Sequence, residues 1–230
     1  MGKLYVIATP IGNLEDMTIR AIRVLKEVDL VLCEDTRETG KLLKHFEIDK
    51  HSEDGKSGLM SYHAQSQLTK IEVIIDLLRE GKQIALVSDA GTPTISDPGS
   101  LLVQKIRESL PECGVITVPG ASALTAAFSI SGITGGEFTF IGFLPHKKGR
   151  ETLFKEMAAA ERPYVFYESP HRILKALESL KEFAPAKKVF VGRELTKMFE
   201  QSVAGTAEEV LEYFNQHEDK VRGEFVVIVY

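Results

Sequence analysis

The sequence predicts an α/β protein of two domains, with a mostly parallel sheet in the first domain and a mixed sheet in the second. Short apolar runs alternate with helices of amphipathic spacing from Leu4 to Val118, a pattern typical of a parallel sheet covered by helices. Beyond residue 120 the apolar runs are richer in aromatic residues, and the last one has no helix after it. With 230 residues available, we predict domains over 1–118 and 119–230.

The composition is that of an ordinary globular protein, with 43% apolar and 27% charged residues. Two distant cysteines and six scattered histidines give no metal-ligand spacing, so we expect no metal site. No signal peptide or transmembrane run is visible, which favours a reducing cytoplasm. The net charge of −5 argues against tight non-specific binding of nucleic acid but allows an RNA bound at a local basic patch.

The first apolar run, Leu4 to Ala8, indicates a buried parallel strand that ends in the turn Thr9 to Asn13. Asp16 is predicted to cap the next helix, whose apolar stripe comprises Met17, Ala21, Val24, Leu25 and Val28. Strand, Gly/Pro loop and helix form the generic phosphate-binding layout. Because the loop lacks the three-glycine fingerprint, a dinucleotide site is disfavoured.

A second strand, Asp29 to Cys33, runs directly into the polar segment Glu34 to Thr39. Polar groups at a strand's C-terminal end are candidates for ligand contact. The alternative is a solvated helix start, with Asp35 or Thr36 as cap and Arg37 paired to a carboxylate.

Residues 83–87 indicate another buried strand, followed by a loop rich in glycine and proline that ends at Gly99. This loop contains Asp89 and Asp97 but no lysine or arginine, which favours a neutral or cationic ligand over a phosphate. We expect Asp97 to cap the following helix, with Pro98 at its first position. A further strand, Val115 to Val118, ends in the similar loop Pro119 to Ala123. Three such loops at one edge of a parallel sheet would converge on one crevice.

The second domain is predicted to contain strands at 138–143, 164–167, 189–191 and 225–230. Ser169, with Pro170, is expected to cap one of its helices, and Thr206 with Glu209 forms a capping box before another. Basic groups follow these strands at His146 to Arg150, at His171 and Arg172, and at Arg193 and Lys197. They could contact an anionic substrate; alternatively, 146–150 is a solvated helix start and His171 a structural hydrogen-bonding residue.

Eight strings, in order along nearly the whole chain, resemble the ribosomal RNA small subunit methyltransferase I family, a bacterial branch of the tetrapyrrole methylase fold. They are ATPIGNLEDMTIRA, CEDTRETGKLL, LVSDAGTPTISDPG, VPGASAL, GFLPHKKGR, FYESPHR, GRELTK and RGEFVV. The resemblance implies S-adenosylmethionine-dependent methylation of a cytidine ribose 2′-hydroxyl in the decoding region of 16S ribosomal RNA. It also implies a cofactor cleft between two domains, and a homodimer. We further expect the small ribosomal subunit as partner, and no DNA or membrane partner.

The family's cofactor contacts, carried over by motif, fall on both domains: Pro10, Ile11, Gly12, Gly91, Thr92, Pro93, Ile95, Ser122, Ala123, Phe166, Tyr167, Glu168 and Leu195. The chain departs from the family at residues 63–67, where HAQSQ replaces a common H-x-x-N-E string, and at VPGASA, which replaces VPGPSA. Any role that needs Asn or Glu in the first string is therefore in question.

A ribose hydroxyl is a poor nucleophile until its proton is accepted. The candidate bases, in falling order, are Asp89, Asp35 and Glu194. The candidate RNA-positioning groups are Arg37, Lys147, Lys148, Arg150, His171, Arg172, Arg193 and Lys197. Two other functions stay open at this point: methylation of a tetrapyrrole carbon by the same fold, and a non-catalytic nucleotide- or RNA-binding module.

Overall fold

A computed structural model describes residues 1–50, 58–63 and 67–230, with the side chains of residues 67 and 68 left out. The chain forms two compact units, Met1–Ser122 and Ala123–Tyr230. Each unit has its own five-stranded sheet. The division falls four residues after the boundary predicted from the sequence, which stays a prediction.

The sheet of the first unit is entirely parallel, as the alternating pattern predicts. Its strands are β1 Lys3–Ile7, β2 Leu30–Cys33, β3 Leu59–Ser61, β4 Gln83–Val87 and β5 Gly114–Val118. Their spatial order is β3-β2-β4-β1-β5. Its helices are α1 Ile19–Glu27, α2 Thr36–His45, α3 Gln67–Arg79 and α4 Ser100–Ser109.

Both faces of this sheet are covered, which explains why its strands are continuous apolar runs. Leu4 and Leu86 belong to a core cluster on one face, and Ile7 and Val87 to a separate cluster on the other. Of the stripe predicted for α1, Ala21, Val24 and Leu25 are buried within the helix, and Met17 and Val28 are buried just outside its two ends. The carboxyl ends of β2, β4, β1 and β5 therefore meet at one edge of the unit.

Two predicted helix caps of the first unit are wrong. Thr18, not Asp16, caps α1 by accepting from the Ala21 N–H, because Asp16 belongs to a short 3-10 helix, Leu14–Asp16. The N-cap of α4 is Gly99, with φ of 125° and no side-chain cap bond, so Asp97 is not a cap and Pro98 precedes the helix.

The second unit has a mixed sheet, as predicted, in the order β6-β7-β10-β8-β9. β6 and β7 are parallel and the other neighbours antiparallel. The elements are α5 Ala123–Ile130, β6 Thr139–Phe143, α6 Arg150–Ala159, β7 Tyr164–Glu168, α7 Ile173–Phe183, β8 Lys188–Arg193, β9 Gln201–Thr206, α8 Ala207–Gln216 and β10 Phe225–Val229.

The capping box of Thr206 and Glu209 is confirmed at the start of α8. The cap predicted at Ser169 is wrong, because α7 begins only at Ile173 and Arg172 occupies its N-cap position. Ser169 instead closes the turn before α7, where its carbonyl accepts the N–H of Arg172 at 3.0 Å. Within the described part of the chain, no helix is long and apolar enough to cross a bilayer.

Candidate functional site

The loops after β1, β4 and β5 are joined to one another in the first unit, as the sequence predicts. The Thr9 N–H donates to the Gly91 carbonyl at 2.9 Å, and the Gly91 N–H donates back to Thr9 at 3.1 Å. The Thr92 hydroxyl donates to the Ala121 carbonyl at 3.1 Å. The three loops therefore form one continuous backbone surface at the carboxyl edge of the sheet.

Buried hydroxyls fix this surface from below. The Thr9 hydroxyl donates to the Ser88 carbonyl at 3.0 Å, and the Ser88 hydroxyl donates to the Gly91 carbonyl at 3.0 Å. Gly91 has φ of 84°, and a Cβ atom there would lie 3.3 Å from Ile11 Cγ2. Glycine thus permits both the loop's conformation and its close approach to the first loop.

The predicted cofactor contacts in these loops differ in how far they are exposed. Gly12 and Ile95 are exposed, and Thr92 and Ser122 are half-buried. Pro10, Ile11 and Pro93 are buried, so they support the loops and leave mainly backbone atoms for a ligand.

Carboxyl groups cluster beside this surface, at the ends of β2 and β4. The Asp89 carboxylate accepts the Asp35 backbone N–H at 3.2 Å. Burial, with Asp97 and Asp89 nearby, raises the pKa of Glu34 to about 7. Burial, with Asp89 nearby, raises the pKa of Asp97 to about 6. From the sequence alone Glu34 has no specific role and Asp97 is expected to be a cap, because neither the half-burial nor the mutual proximity of these carboxyls is visible in the local pattern.

Asp35 and Arg37 form a capped helix start with an ion pair, which was the alternative to ligand contact. Asp35 caps α2 by accepting the Arg37 N–H at 2.8 Å. The Arg37 guanidinium also donates to both carboxylate oxygens of Asp35, at 3.1 and 2.6 Å. These hydrogen bonds hold the pKa of Asp35 well below its usual range. Asp35 is therefore a weak proton acceptor, and the Arg37 guanidinium is partly occupied.

The Glu194 carboxylate is bound by neighbouring groups of the second unit. Its Oε1 accepts from Lys197 Nζ at 2.9 Å and from the Glu224 N–H at 2.9 Å. Burial raises the pKa of Glu194, but the bonds from Lys197 and Glu224 outweigh it and the pKa is lowered. Glu194 and Lys197 thus form an internal ion pair, which disfavours Glu194 as a base.

Other predicted residues of the second unit differ in accessibility. Arg193 is buried and donates through Nε to the Arg222 carbonyl at 2.8 Å. Phe166 and Leu195 are buried, so their side chains are core groups. Tyr167 is half-buried, and its ring contacts that of Phe143 edge to face at 5.7 Å. Phe143 is an exposed aromatic residue that was not predicted as a site residue.

The basic residues around β6 and β7 also divide into two kinds. Lys147, Lys148 and His171 are exposed. Arg150 is buried, and Arg172 is half-buried beside Glu168. The described residues contain no group of three or more His, Cys, Asp or Glu that could hold a metal ion.

Comparison with known proteins gives the family. Residues 3–211 match the model of the Tetrapyrrole (Corrin/Porphyrin) Methylases. A protein of Thermotoga maritima named ribosomal RNA small subunit methyltransferase I is 44% identical over 230 residues, covering 100% of this chain and 98% of the relative. The chain belongs to this methyltransferase family. The same name belongs to a Bacillus subtilis relative that is 43% identical, with 100% of this chain and 75% of the relative covered.

Solved structures of tetrapyrrole methylases share the fold. The methyltransferase CobJ superposes with a TM-score of 0.69 at 20% identity, covering 100% of this chain and 94% of that chain. A uroporphyrin-III C-methyltransferase from Thermus thermophilus, complexed with S-adenosyl homocysteine, superposes with a TM-score of 0.64 at 19% identity. The superposition covers 99% of this chain and 97% of that chain. At these identities the likeness shows the fold alone.

The first-unit surface fits the family's methyl donor by its chemistry. Its groups are backbone atoms, small side chains and carboxylates, and the loop from Ser88 to Gly99 carries no lysine or arginine. A sulfonium cation with an amino-acid tail suits such a surface better than a phosphate does. The family departure at residues 63–67 is not assessed by the structure, because residues 64–66 lie outside the described residues.

Proposed function

We propose that this chain methylates the ribose 2′-hydroxyl of a cytidine in the decoding region of 16S ribosomal RNA, within the small ribosomal subunit. The observation that carries the RNA substrate is the similarity, over the whole of this chain, to relatives named ribosomal RNA small subunit methyltransferase I. The methyl donor is S-adenosylmethionine, which supplies an electrophilic methyl group on a sulfonium.

The chain's own contribution begins with positioning. The Thr9–Gly91 pair and the Thr92–Ala121 bond fix three loops as one surface, so little ordering is left to occur on binding. A fixed orientation of donor and acceptor can supply up to ~7–11 kcal/mol of a displacement barrier in model systems. Residues Pro10 to Gly12, Gly91 to Ile95, Ser122 and Ala123 would hold the cofactor. Contacts from Phe166, Tyr167 and Leu195 stay predictions; Glu168 is left out of the proposed cofactor site, because its buried carboxylate lies next to Arg150 and Arg172.

Asp89 is the proposed acceptor of the ribose proton. It is exposed at the edge of the loop surface, whereas Asp35 is tied to Arg37 and Glu194 to Lys197. RNA contact is assigned first to the exposed Lys147, Lys148 and His171.

The assay uses labelled S-adenosylmethionine, small subunits from a strain that lacks the modification, and uroporphyrinogen in parallel. Transfer of label to the subunits, and not to the macrocycle, supports the proposal. Transfer to uroporphyrinogen alone would assign a tetrapyrrole C-methyltransferase, and cofactor binding without transfer would assign a binding module. We further propose that the enzyme acts in the cytoplasm as a homodimer, which light scattering of the purified protein tests.

A further inference from the structure

Glu168 ends β7 with its carboxylate inside the second unit, where two arginines approach it. Its side chain is 0% exposed. Arg172 Nη2 lies 3.3 Å from Glu168 Oε2, and Arg150 Nη1 lies 3.9 Å from the same oxygen. The other oxygen, Oε1, accepts the Ser169 N–H at 2.8 Å. One buried carboxylate therefore lies next to two guanidinium groups.

Both arginines also donate to the segment that follows β6. Arg172 Nη2 donates to the Leu144 carbonyl at 2.6 Å and to the Pro145 carbonyl at 3.3 Å. Arg172 Nη1 lies 3.4 Å from His146 Nδ1, and Arg150 Nη1 donates to Pro145 at 3.4 Å. Because Leu144 is also buried in the core, packing and hydrogen bonds together fix the path of residues 144–146.

The fixed segment leads directly into Lys147 and Lys148, which are exposed. No ion pair joins either ammonium group to a carboxylate among the described residues. On the adjoining helix α6, by contrast, Lys155 pairs with Glu151 at 2.5 Å. The two lysines thus offer unneutralised positive charge on an anchored backbone.

The cluster is poorly arranged for stability alone. Arg150 Nε, Arg150 Nη2 and Glu168 Oε2 are buried and have no hydrogen-bond partner among the described residues. Buried charges with unmet hydrogen bonds commonly stabilise a fold less than apolar groups of similar size do. What the two arginines do is donate hydrogen bonds to the carbonyls of Leu144 and Pro145, which fixes this backbone segment.

We propose that Glu168, Arg150 and Arg172 are positioning residues that hold residues 144–146, so that Lys147 and Lys148 meet phosphates of the RNA. Glu168 keeps the two guanidinium groups in place, and the guanidinium groups hold the carbonyls. This inference rests on the proposed RNA substrate. In this inference Glu168 does not contact the cofactor. Arg150 and Arg172 do not contact the RNA themselves; they hold residues 144–146, which position the two lysines.

The first test is Glu168→Gln, which keeps the side chain's size and the acceptor for Ser169 but removes the charge. We expect the KM for small subunits to rise about tenfold. The Kd for S-adenosylmethionine, measured calorimetrically, should stay within about twofold of wild type. The matched control is Glu151→Gln on α6, an exposed carboxylate, which should change neither value. Weaker cofactor binding by Glu168→Gln would overturn the inference and favour direct contact.

The second test is a double-mutant cycle with Lys147→Ala/Lys148→Ala. That double variant should reduce the slope of log K against log salt for subunit binding by about 1 to 2. Adding Glu168→Gln should then cause no further loss, because the segment no longer carries charge to be positioned. Additive losses would assign Glu168 a purely structural role and overturn the inference.

Arg172→Lys is the alternative variant if Glu168→Gln unfolds. Lysine keeps a positive charge near Glu168 but cannot donate to two carbonyls in a fixed fork. It should raise the KM for subunits and show the same lack of additivity with the lysine variants. A wild-type protein that leaves subunits unmodified would overturn the proposed function and this inference together. Additive losses in an active wild-type background would overturn this inference alone.

Discussion

Thr9 and Gly91 exchange two backbone hydrogen bonds, of 2.9 and 3.1 Å, across the carboxyl ends of β1 and β4. The pairing joins loops that are more than eighty residues apart in sequence into one surface. Its geometry depends on Gly91, whose φ of 84° is rarely adopted by other residues. The proposed cofactor site therefore depends on a backbone contact more than on any single side chain.

Gly91→Ala should weaken cofactor binding and lower stability by about 1–2 kcal/mol, because the new methyl group meets strain at positive φ. It would also lie 3.3 Å from Ile11 Cγ2. Calorimetric titration and thermal melting measure the two effects. Gly40→Ala is the matched control, since Gly40 lies within α2 and a Cβ there has nothing within 4 Å. It should stabilise the protein by about 0.5–1 kcal/mol and leave binding unchanged. Equal behaviour of the two variants would contradict the account.

Asp89→Asn should reduce kcat by about 10²–10⁴-fold while the Kd for the cofactor changes little, because it removes the proposed proton acceptor. Single-turnover methylation of subunits measures this. Asp35→Asn is the comparison variant, since its carboxylate is bound to Arg37 and caps α2. It should lower the melting temperature and largely spare kcat. A wild-type rate in Asp89→Asn would exclude Asp89 as the base.

Glu34→Gln should stabilise the protein in a pH-dependent way. The folded-state pKa of Glu34 is raised from 4.5 to about 7, so the stability that this carboxyl contributes is complete below pH 4.5 and lost as pH rises towards 7. Glutamine cannot ionise, so its advantage over glutamate should grow across that window. At pH 8 we expect the variant's free energy of unfolding to exceed that of the wild type by about 1 kcal/mol, because partial exposure of the Glu34 side chain screens the effect. Melting curves of both proteins from pH 5 to 8 measure this difference, and Glu38→Gln, at an exposed carboxylate, is the control. A stability difference between Glu34→Gln and wild type that does not change with pH would refute the raised pKa of Glu34.

Assembled small subunits should be methylated far better than a short free oligonucleotide of the same sequence. The formal net charge of −5 gives little general attraction for RNA, so recognition needs shape and several local contacts. Comparing kcat/KM for the two substrates at several salt concentrations measures the preference. Equal methylation of the oligonucleotide would show that the local sequence suffices.

The sequence predicted the sheets and the three loops because these depend on local patterns. Apolar runs mark the strands, and Pro10, Gly91 and Gly120 mark turns at their ends. It failed where the outcome depends on distant contacts. Asp97 precedes a helix, as caps do, but Gly99 takes that position and Asp97 faces other carboxyls. β9 was missed because it is an edge strand with alternating exposure and few apolar residues.

Charged site residues were the hardest to assign from sequence. Arg150 and Arg193 resemble surface groups in a basic string, yet both are buried against partners that come from other strands and loops. Lys147, only three residues before the buried Arg150, is exposed as a surface lysine should be. Contacts with residues distant in the sequence therefore decide which basic side chains are exposed and free to contact RNA. The local spacing of residues does not reveal these contacts.

The most direct test of the proposed function is to map the methyl group after reaction with small subunits that lack it. Nuclease digestion and mass spectrometry locate the modified nucleotide, and resistance of its phosphodiester to alkali reports a 2′-O-methyl group. We expect one methyl group per subunit, on the ribose of a cytidine in the decoding region, and loss of this product with Asp89→Asn. A methyl group on a base, or on a nucleotide outside the decoding region, would contradict it.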